Sequence, residues 1–186
     1  MNNRQCENAR PPNEGGVQQT VTVWTDDSCS NNGTKYALAG SGLWYGAQSP
    51  RNRAIRLPGE YLTNNIAEVV AAVAAIQDNQ DAQCLKIITD SVYALKSATD
   101  LLRKRVDHGF LGIANKAVIA ALTAEISSAR VKIWIKKVKG HAGDVGNENA
   151  DRLAASGAAK AQPDHISLLK GKELLEYGTL PKGQNT

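Results

Sequence analysis

Thr20-Val21-Thr22-Val23-Trp24-Thr25-Asp26 alternates β-branched or aromatic side chains and ends on an acid. A period of two with that composition reads as a β-strand. The turn-rich stretch Asp27–Lys35 follows, and then two more strand candidates, Ala37–Tyr45 and Arg53–Leu57, each bounded by Gly or Pro. The three together read as an antiparallel meander. Asn65–Gln77 changes the period: Ile66, Val69, Val70, Val73 and Ile76 recur at helical spacing. Leu85–Thr89 is a short apolar run of the kind buried in a sheet, and it too ends on an acid, Asp90.

Helical patterns continue over Ser91–Leu102 and Ile113–Ser127, separated by the basic segment Arg103–Gly112. Val131–Val138 reads as the last strand, the loop Lys139–Gly146 follows, and Asn147–Ala161 reads as a helix. The order β-β-β-α-β-α-α-β-α implies an α/β protein: a mixed five-stranded sheet, three antiparallel strands then parallel crossovers, flanked by helices on both faces. Around this domain, residues 20–161, the chain of 186 residues has a polar leader over 1–19, expected to be disordered. It ends in a C-terminal extension, 162–186, with room for one short helix and a polar tail. These flanks suit either a free-standing protein or a domain cut from a longer polyprotein.

Composition narrows the function. A net charge of +4 and a pI near 9.0 tilt the chain toward a polyanionic partner without establishing one. Three widely spaced cysteines, Cys6, Cys29 and Cys84, supply neither a disulfide framework nor the close spacing of a zinc site. No stretch approaches the roughly 18 apolar residues of a membrane span. The expectation is a soluble, intracellular protein, cytoplasmic or nuclear, with no membrane partner and no demand for more than a monomer.

Candidate chemistry gathers on acids. Asp26 and Asp90 each follow a strand, and ligands collect at such strand ends in sheets with parallel neighbours. Hard carboxylate oxygens that converge call for Mg²⁺ or Mn²⁺. Read singly, each acid also has an ordinary explanation. Asp90 could cap the helix after it, and Asn65-Ile66-Ala67-Glu68 has capping-box spacing. Asp151 could simply favour a helix N-terminus. The lone His141, in a glycine-rich loop, could be a surface residue or a proton carrier titrating near neutrality.

Four blocks together resemble the type 1 ribonucleases H: Thr25-Asp26-Asp27-Ser28-Cys29; Thr63-Asn64-Asn65-Ile66-Ala67-Glu68; Thr89-Asp90-Ser91-x-Tyr93; and Val138-Lys139-Gly140-His141-Ala142-Gly143 followed by Asn147-Glu148-x-x-Asp151. The resemblance covers Val21 to Lys160, with the blocks in order. It implies a ribonuclease H-like fold and an endonuclease that hydrolyses the RNA strand of RNA/DNA hybrids, leaving 5′-phosphate and 3′-hydroxyl ends. It implies that Asp26, Glu68, Asp90 and Asp151 hold two divalent ions, Mg²⁺ or Mn²⁺, and that His141 aids proton transfer or product release. Ser28, Cys29, Asn32, Asn64, Asn65 and Ser91 are implied to lie against the hybrid.

Two departures stand out. Asp27 takes the place of the family's usual glycine and reads as a solvated turn residue rather than a fifth ligand. The basic handle is shortened, with Arg103-Lys104-Arg105 and Lys116 for charge and Phe110 as its one aromatic. Leu43-Trp44-Tyr45-Gly46 and Arg51-Asn52-Arg53-Ala54 look similar to ribonuclease H domains of fungal retroelements, which would make a reverse transcriptase in the same polyprotein a partner.

Overall fold

A computed structural model describes residues 20–99, 110–140 and 142–177. The leader 1–19, the cluster Arg103-Lys104-Arg105, the end of the second helical pattern and His141 lie outside the described residues. The strands are β1 (Thr20–Ser30), β2 (Leu38–Trp44), β3 (Arg53–Arg56), β4 (Cys84–Thr89) and β5 (Lys132–Lys137). The helices are α1 (Asn64–Gln77), α2 (Val92–Ala98), α3 (Lys116–Ser128), α4 (Val145–Ala158) and α5 (Leu169–Tyr177).

The sheet order is β3-β2-β1-β4-β5, antiparallel from β3 to β1 and parallel from β1 to β5. This is the mixed five-stranded sheet expected, and β1 is the strand at which the two pairing modes meet. Alternation along β1 sorts its side chains between two faces. Val23 and Thr25 are buried on the side of α1, while Trp24 and Asp26 meet α4 on the other.

Helix α1 is buried almost all round, because it lies between the sheet and α3. Ala67 and the whole run Val69–Ile76 are inaccessible, so small and branched side chains suit every direction. Ser41 ties the sheet to this helix by donating its hydroxyl to the Ala67 carbonyl at 2.7 Å. Helix α4 lies still closer to the sheet. A Cβ on Gly42 would overlap the Ala150 carbonyl, one on Gly40 the Ala154 carbonyl, and one on Gly157 the Ile55 backbone. Glycine and alanine therefore set the helix-to-sheet distance here.

Strand β1 runs on through Ser30, pairing Asp27 with Ser41 and Ser30 with Leu38. The turn expected from Asp27 onward is thus confined to the hairpin tip, because Ser28, Cys29 and Ser30 all find backbone partners on β2. Phe110, the handle's one aromatic, is 3% exposed and belongs to the core.

Beyond Pro163 the chain returns to the body. Asp164 accepts from the Arg56 amide at 2.6 Å and returns its own N–H to the Arg56 carbonyl at 2.9 Å. On α5, Lys170 pairs with the buried Glu125 at 2.7 Å, and Gly171 abuts the Ala121 backbone. Burial works against the Asp164 charge, but the Arg56 amide and then Lys160 outweigh it and hold the carboxyl below its usual range. A lowered carboxylate pKa contributes stability above the unfolded value of about 3.9, and that contribution is lost as pH falls below it. Asp164→Asn is accordingly expected to cost roughly 1 kcal/mol at pH 6, and less at pH 3. Urea unfolding at the two pH values measures the difference.

Candidate active site

The parallel register of β1 and β4 places Thr25 beside Thr89, so Asp26, the next residue of β1 and still paired with Gly42 of β2, lies beside Asp90, the first residue past β4. Asp26 is 8% exposed; it accepts the Asp27 N–H at 2.8 Å and the Asn147 side-chain amide at 3.1 Å. The same Asn147 amide lies 3.4 Å from Asp90 Oδ2, so one neutral donor bridges two acids. Asn147 is held by Asp144, which caps α4 by accepting the Asn147 N–H at 2.9 Å.

The ordinary explanations of the acids give way to other caps. Thr63 caps α1 by accepting from the Ile66 N–H at 3.2 Å, so Glu68 sits beyond the capping-box position. Its side chain turns to Asp90 and Ser91. Ser91, not Asp90, caps α2, accepting from the Ala94 N–H at 2.9 Å. Asp151 falls in the second turn of α4, past the range over which a helix terminus acts strongly.

Asp26, Asp27, Ser28, Cys29, Asn64, Glu68, Asp90, Ser91 and Asp151 line one open cleft of about 460 Å³. Of the other residues singled out in the sequence, Asn32 stands at the hairpin tip, where its Oδ1 accepts the Asn64 N–H at 3.0 Å. Asn65 is exposed on the first turn of α1 and does not line the cleft. Gly140 packs directly against the site, since a Cβ there would strike the Asp90 carboxyl.

Asp27 is a correction. It is a half-buried strand residue on the cleft wall rather than a solvated turn residue, and its carboxylate takes the Asn64 side-chain amide at 2.7 Å. Burial, then the charges of Glu68 and Asp26, push its pKa up to about 7 against the pull of Asn64. Burial, and then Asp90, likewise raise Glu68, opposed by a Ser91 hydrogen bond. The Cys29 thiol is pushed up by burial and by Asp27, which keeps it a neutral group rather than a nucleophile.

Asn147, present in the fourth family-like block but given no role there, is the residue that the structure adds between Asp26 and Asp90. The signal was its four-residue spacing from Asp151, which puts both side chains on one face of a helix.

The donor set consists of oxygens only, which suits hard divalent cations. Glu68 Oε2 and Asn147 Oδ1 are buried without hydrogen-bond partners among the described residues, so oxygen lone pairs are available where a cation would sit. Among the described residues no three acidic, His or Cys side chains stand close enough to hold one ion between them as placed. Mutual repulsion of like charges opposes such closeness, and a cation would relieve it.

Mixed sheet, two-sided helices and acids just past the last parallel pairing of two adjacent strands define a ribonuclease H-like α/β domain. Residues 18–159 match the RNase H family model. Ribonuclease H1 of Homo sapiens is 37% identical over 147 residues, covering 76% of this chain and 51% of that protein. Ribonuclease H of Roseobacter denitrificans is 31% identical over 151 residues, covering 76% of this chain and 97% of that protein. The solved PFV RNase H domain superposes with a TM-score of 0.56 at 27% identity, covering 74% of this chain and 93% of that one. The chain belongs to the ribonuclease H family. It spans about half the length of the mammalian ribonucleases H1 it matches. Among the described residues no helix is long and apolar enough to cross a membrane.

Proposed function

We propose that this chain is a divalent-metal-dependent endonuclease that hydrolyses the RNA strand of RNA/DNA hybrids. The observation that carries the reading is the convergence of Asp26, Glu68, Asp90 and Asp151, from four separate elements, on one open, oxygen-lined cleft. In this reading those four acids hold two Mg²⁺ ions, with Mn²⁺ as a substitute. Such ions supply charge neutralisation and water activation for phosphodiester hydrolysis.

The chain's own residues supply the rest. Asn147 holds Asp26 and Asp90 in register, and His141, next to Gly140 over Asp90, carries a proton to or from the scissile phosphate. Products with 5′-phosphate and 3′-hydroxyl ends follow from water attacking phosphorus with the ribose 3′-oxygen as leaving group. Ser28, Cys29, Asn64 and Ser91 on the cleft wall, with Asn32 and Asn65 on its rim, contact the hybrid. Small hydroxyl and amide groups suit a minor groove that displays 2′-hydroxyls, so selectivity comes from ribose and groove shape, with little base preference. The reading extends to a monomer acting inside the cell, in the cytoplasm or nucleus, with a reverse transcriptase as neighbour if the chain derives from a retroelement.

The test is cleavage of an end-labelled hybrid in Mg²⁺, beside EDTA and an Asp90→Asn variant, with duplex DNA and free RNA in parallel. Cutting of the hybrid's RNA alone, lost on chelation or with Asp90→Asn, is the expected result. Intact hybrid bound tightly by a folded protein would replace the nuclease with a recognition module.

A further inference from the structure

We propose that Asp27 is a positioning residue that sets the polarity with which Asn64, beside a separately oriented Asn32, meets the ribose of the RNA strand; the inference rests on the hybrid-nuclease reading above. Two hydrogen bonds carry it. The Asn64 side-chain amide donates to Asp27 Oδ2 at 2.7 Å, and the Asn64 backbone N–H donates to Asn32 Oδ1 at 3.0 Å.

The chemistry of these partners leaves each amide one orientation. An ionised carboxylate only accepts, so Asn64 turns its NH₂ inward to Asp27 and its carbonyl oxygen outward. A backbone N–H only donates, so Asn32 turns its oxygen to Asn64 and its NH₂ outward. The two ends of an amide are nearly alike in shape, so hydrogen-bond partners decide which way it points, and here they leave no choice. Both side chains are exposed at the rim of the cleft. That rim therefore displays one acceptor and one donor, fixed in advance. A 2′-hydroxyl offers one donor and acceptor lone pairs, the complement of this pair, whereas deoxyribose offers no hydroxyl. With no acceptor at position 27, Asn64 would lose the partner that holds its NH₂ inward and would be free to present either end of its amide.

Asp27 has two competing roles to exclude. As a plain negative charge near the phosphates it would weaken binding, and its removal would lower KM independently of Asn64. As a further metal ligand, its loss would fall chiefly on kcat.

Steady-state cleavage of an RNA/DNA hybrid in Mg²⁺ at pH 8.5 separates these, using wild type, Asp27→Ala, Asp27→Asn, Asn64→Ala and the Asp27→Ala/Asn64→Ala double variant. Asp27→Ala is expected to raise KM on the order of 5-fold, the effect of one neutral hydrogen bond, with a smaller change in kcat. The double variant is expected to be no worse than Asn64→Ala, because the two residues act as one unit. Asp27→Asn, whose carbonyl still accepts from Asn64, is expected to recover most of the loss. Placing 2′-deoxy residues through the RNA strand around the cut site is expected to penalise wild type more than Asp27→Ala.

A KM for Asp27→Ala at or below wild type, effects that multiply in the double variant, a loss confined to kcat, or an Asp27→Asn no better than Asp27→Ala would each overturn the inference while leaving the nuclease reading intact. A folded wild type that leaves the hybrid uncut removes the nuclease reading, and this inference with it.

Discussion

Asp26→Asn is expected to reduce hybrid cleavage by on the order of 10³-fold or more, and to leave the metal-free protein at least as stable as wild type. The loss follows from what carboxylates at such a site supply, since charge stabilisation by a held metal is worth several kcal/mol and each 1.36 kcal/mol is tenfold in rate. The gain in stability follows from the crowding of charge. Asp27 and Glu68 both have raised pKa values, and Asp26 is one of the charges that raise Asp27. Neutralising Asp26 removes part of that repulsion while keeping the shape of the side chain.

The sign of the pH dependence follows from the direction of the Asp27 shift. A carboxyl whose folded pKa is raised favours the folded state at low pH, and this contribution is lost as pH rises toward about 7. In EDTA, the stability difference between Asp26→Asn and wild type is therefore expected to widen between pH 5 and pH 8, by about 1 kcal/mol for a change of one pKa unit. Mg²⁺ should shrink the gap by stabilising only the wild type. Urea midpoints at the two pH values, with and without the ion, are the measurement. A variant that is inactive and also clearly less stable in EDTA would mean that Asp26 is structural.

Gly42→Val is expected to be the most damaging single change in the sheet, costing more than the roughly 1–3 kcal/mol usual for overpacking. The obstruction at Gly42 is backbone, the Ala150 carbonyl and the Ala154 N–H, and backbone in a helix cannot rotate away as a long side chain can. Valine would force α4 off β2, and α4 carries both Asn147 and Asp151. Loss of soluble protein, or a large fall in urea midpoint together with lost cleavage, is the expected outcome. Gly46→Ala offers a contrast, since an added methyl there would meet nothing within 4 Å and its cost arises from a φ of 139° alone. Equal tolerance of Gly42→Val and Gly46→Ala would show that the close helix-to-sheet approach is not required.

The strands, helices and their order were legible because the signals are local. Alternation along β1, the helical period in α1 and the acids that follow the apolar runs of β1 and β4 all lie within a few neighbouring residues. The resemblance to a family then joined acids that each had an ordinary explanation alone. What escaped the sequence depends on distant partners. Asn65 had the right spacing for a cap, yet Thr63 took that place, and α4 began two residues early, at Val145, with Asp144 as its cap. Asp27 looked like a turn residue because Ser28–Ser30 are turn-prone in isolation, but pairing with β2 extended the strand past it. The tight glycine and alanine contact between β2 and α4 carries no local mark. Asn147 was visible only as spacing, and its bridge between Asp26 and Asp90 exists only once α4 has docked.

That late docking has a consequence for synthesis on the ribosome. Asp26, Glu68 and Asp90 emerge well before Asp151, and β1 must wait for β4 before its acid has a neighbour. Pairings so distant along the chain form slowly, after the local helices. No nascent fragment ending short of α4 can assemble the cleft, so a truncated translation product would carry most of the acids and none of the cutting power. On the nuclease reading proposed above, the architecture makes completion of the fold a condition for cleavage.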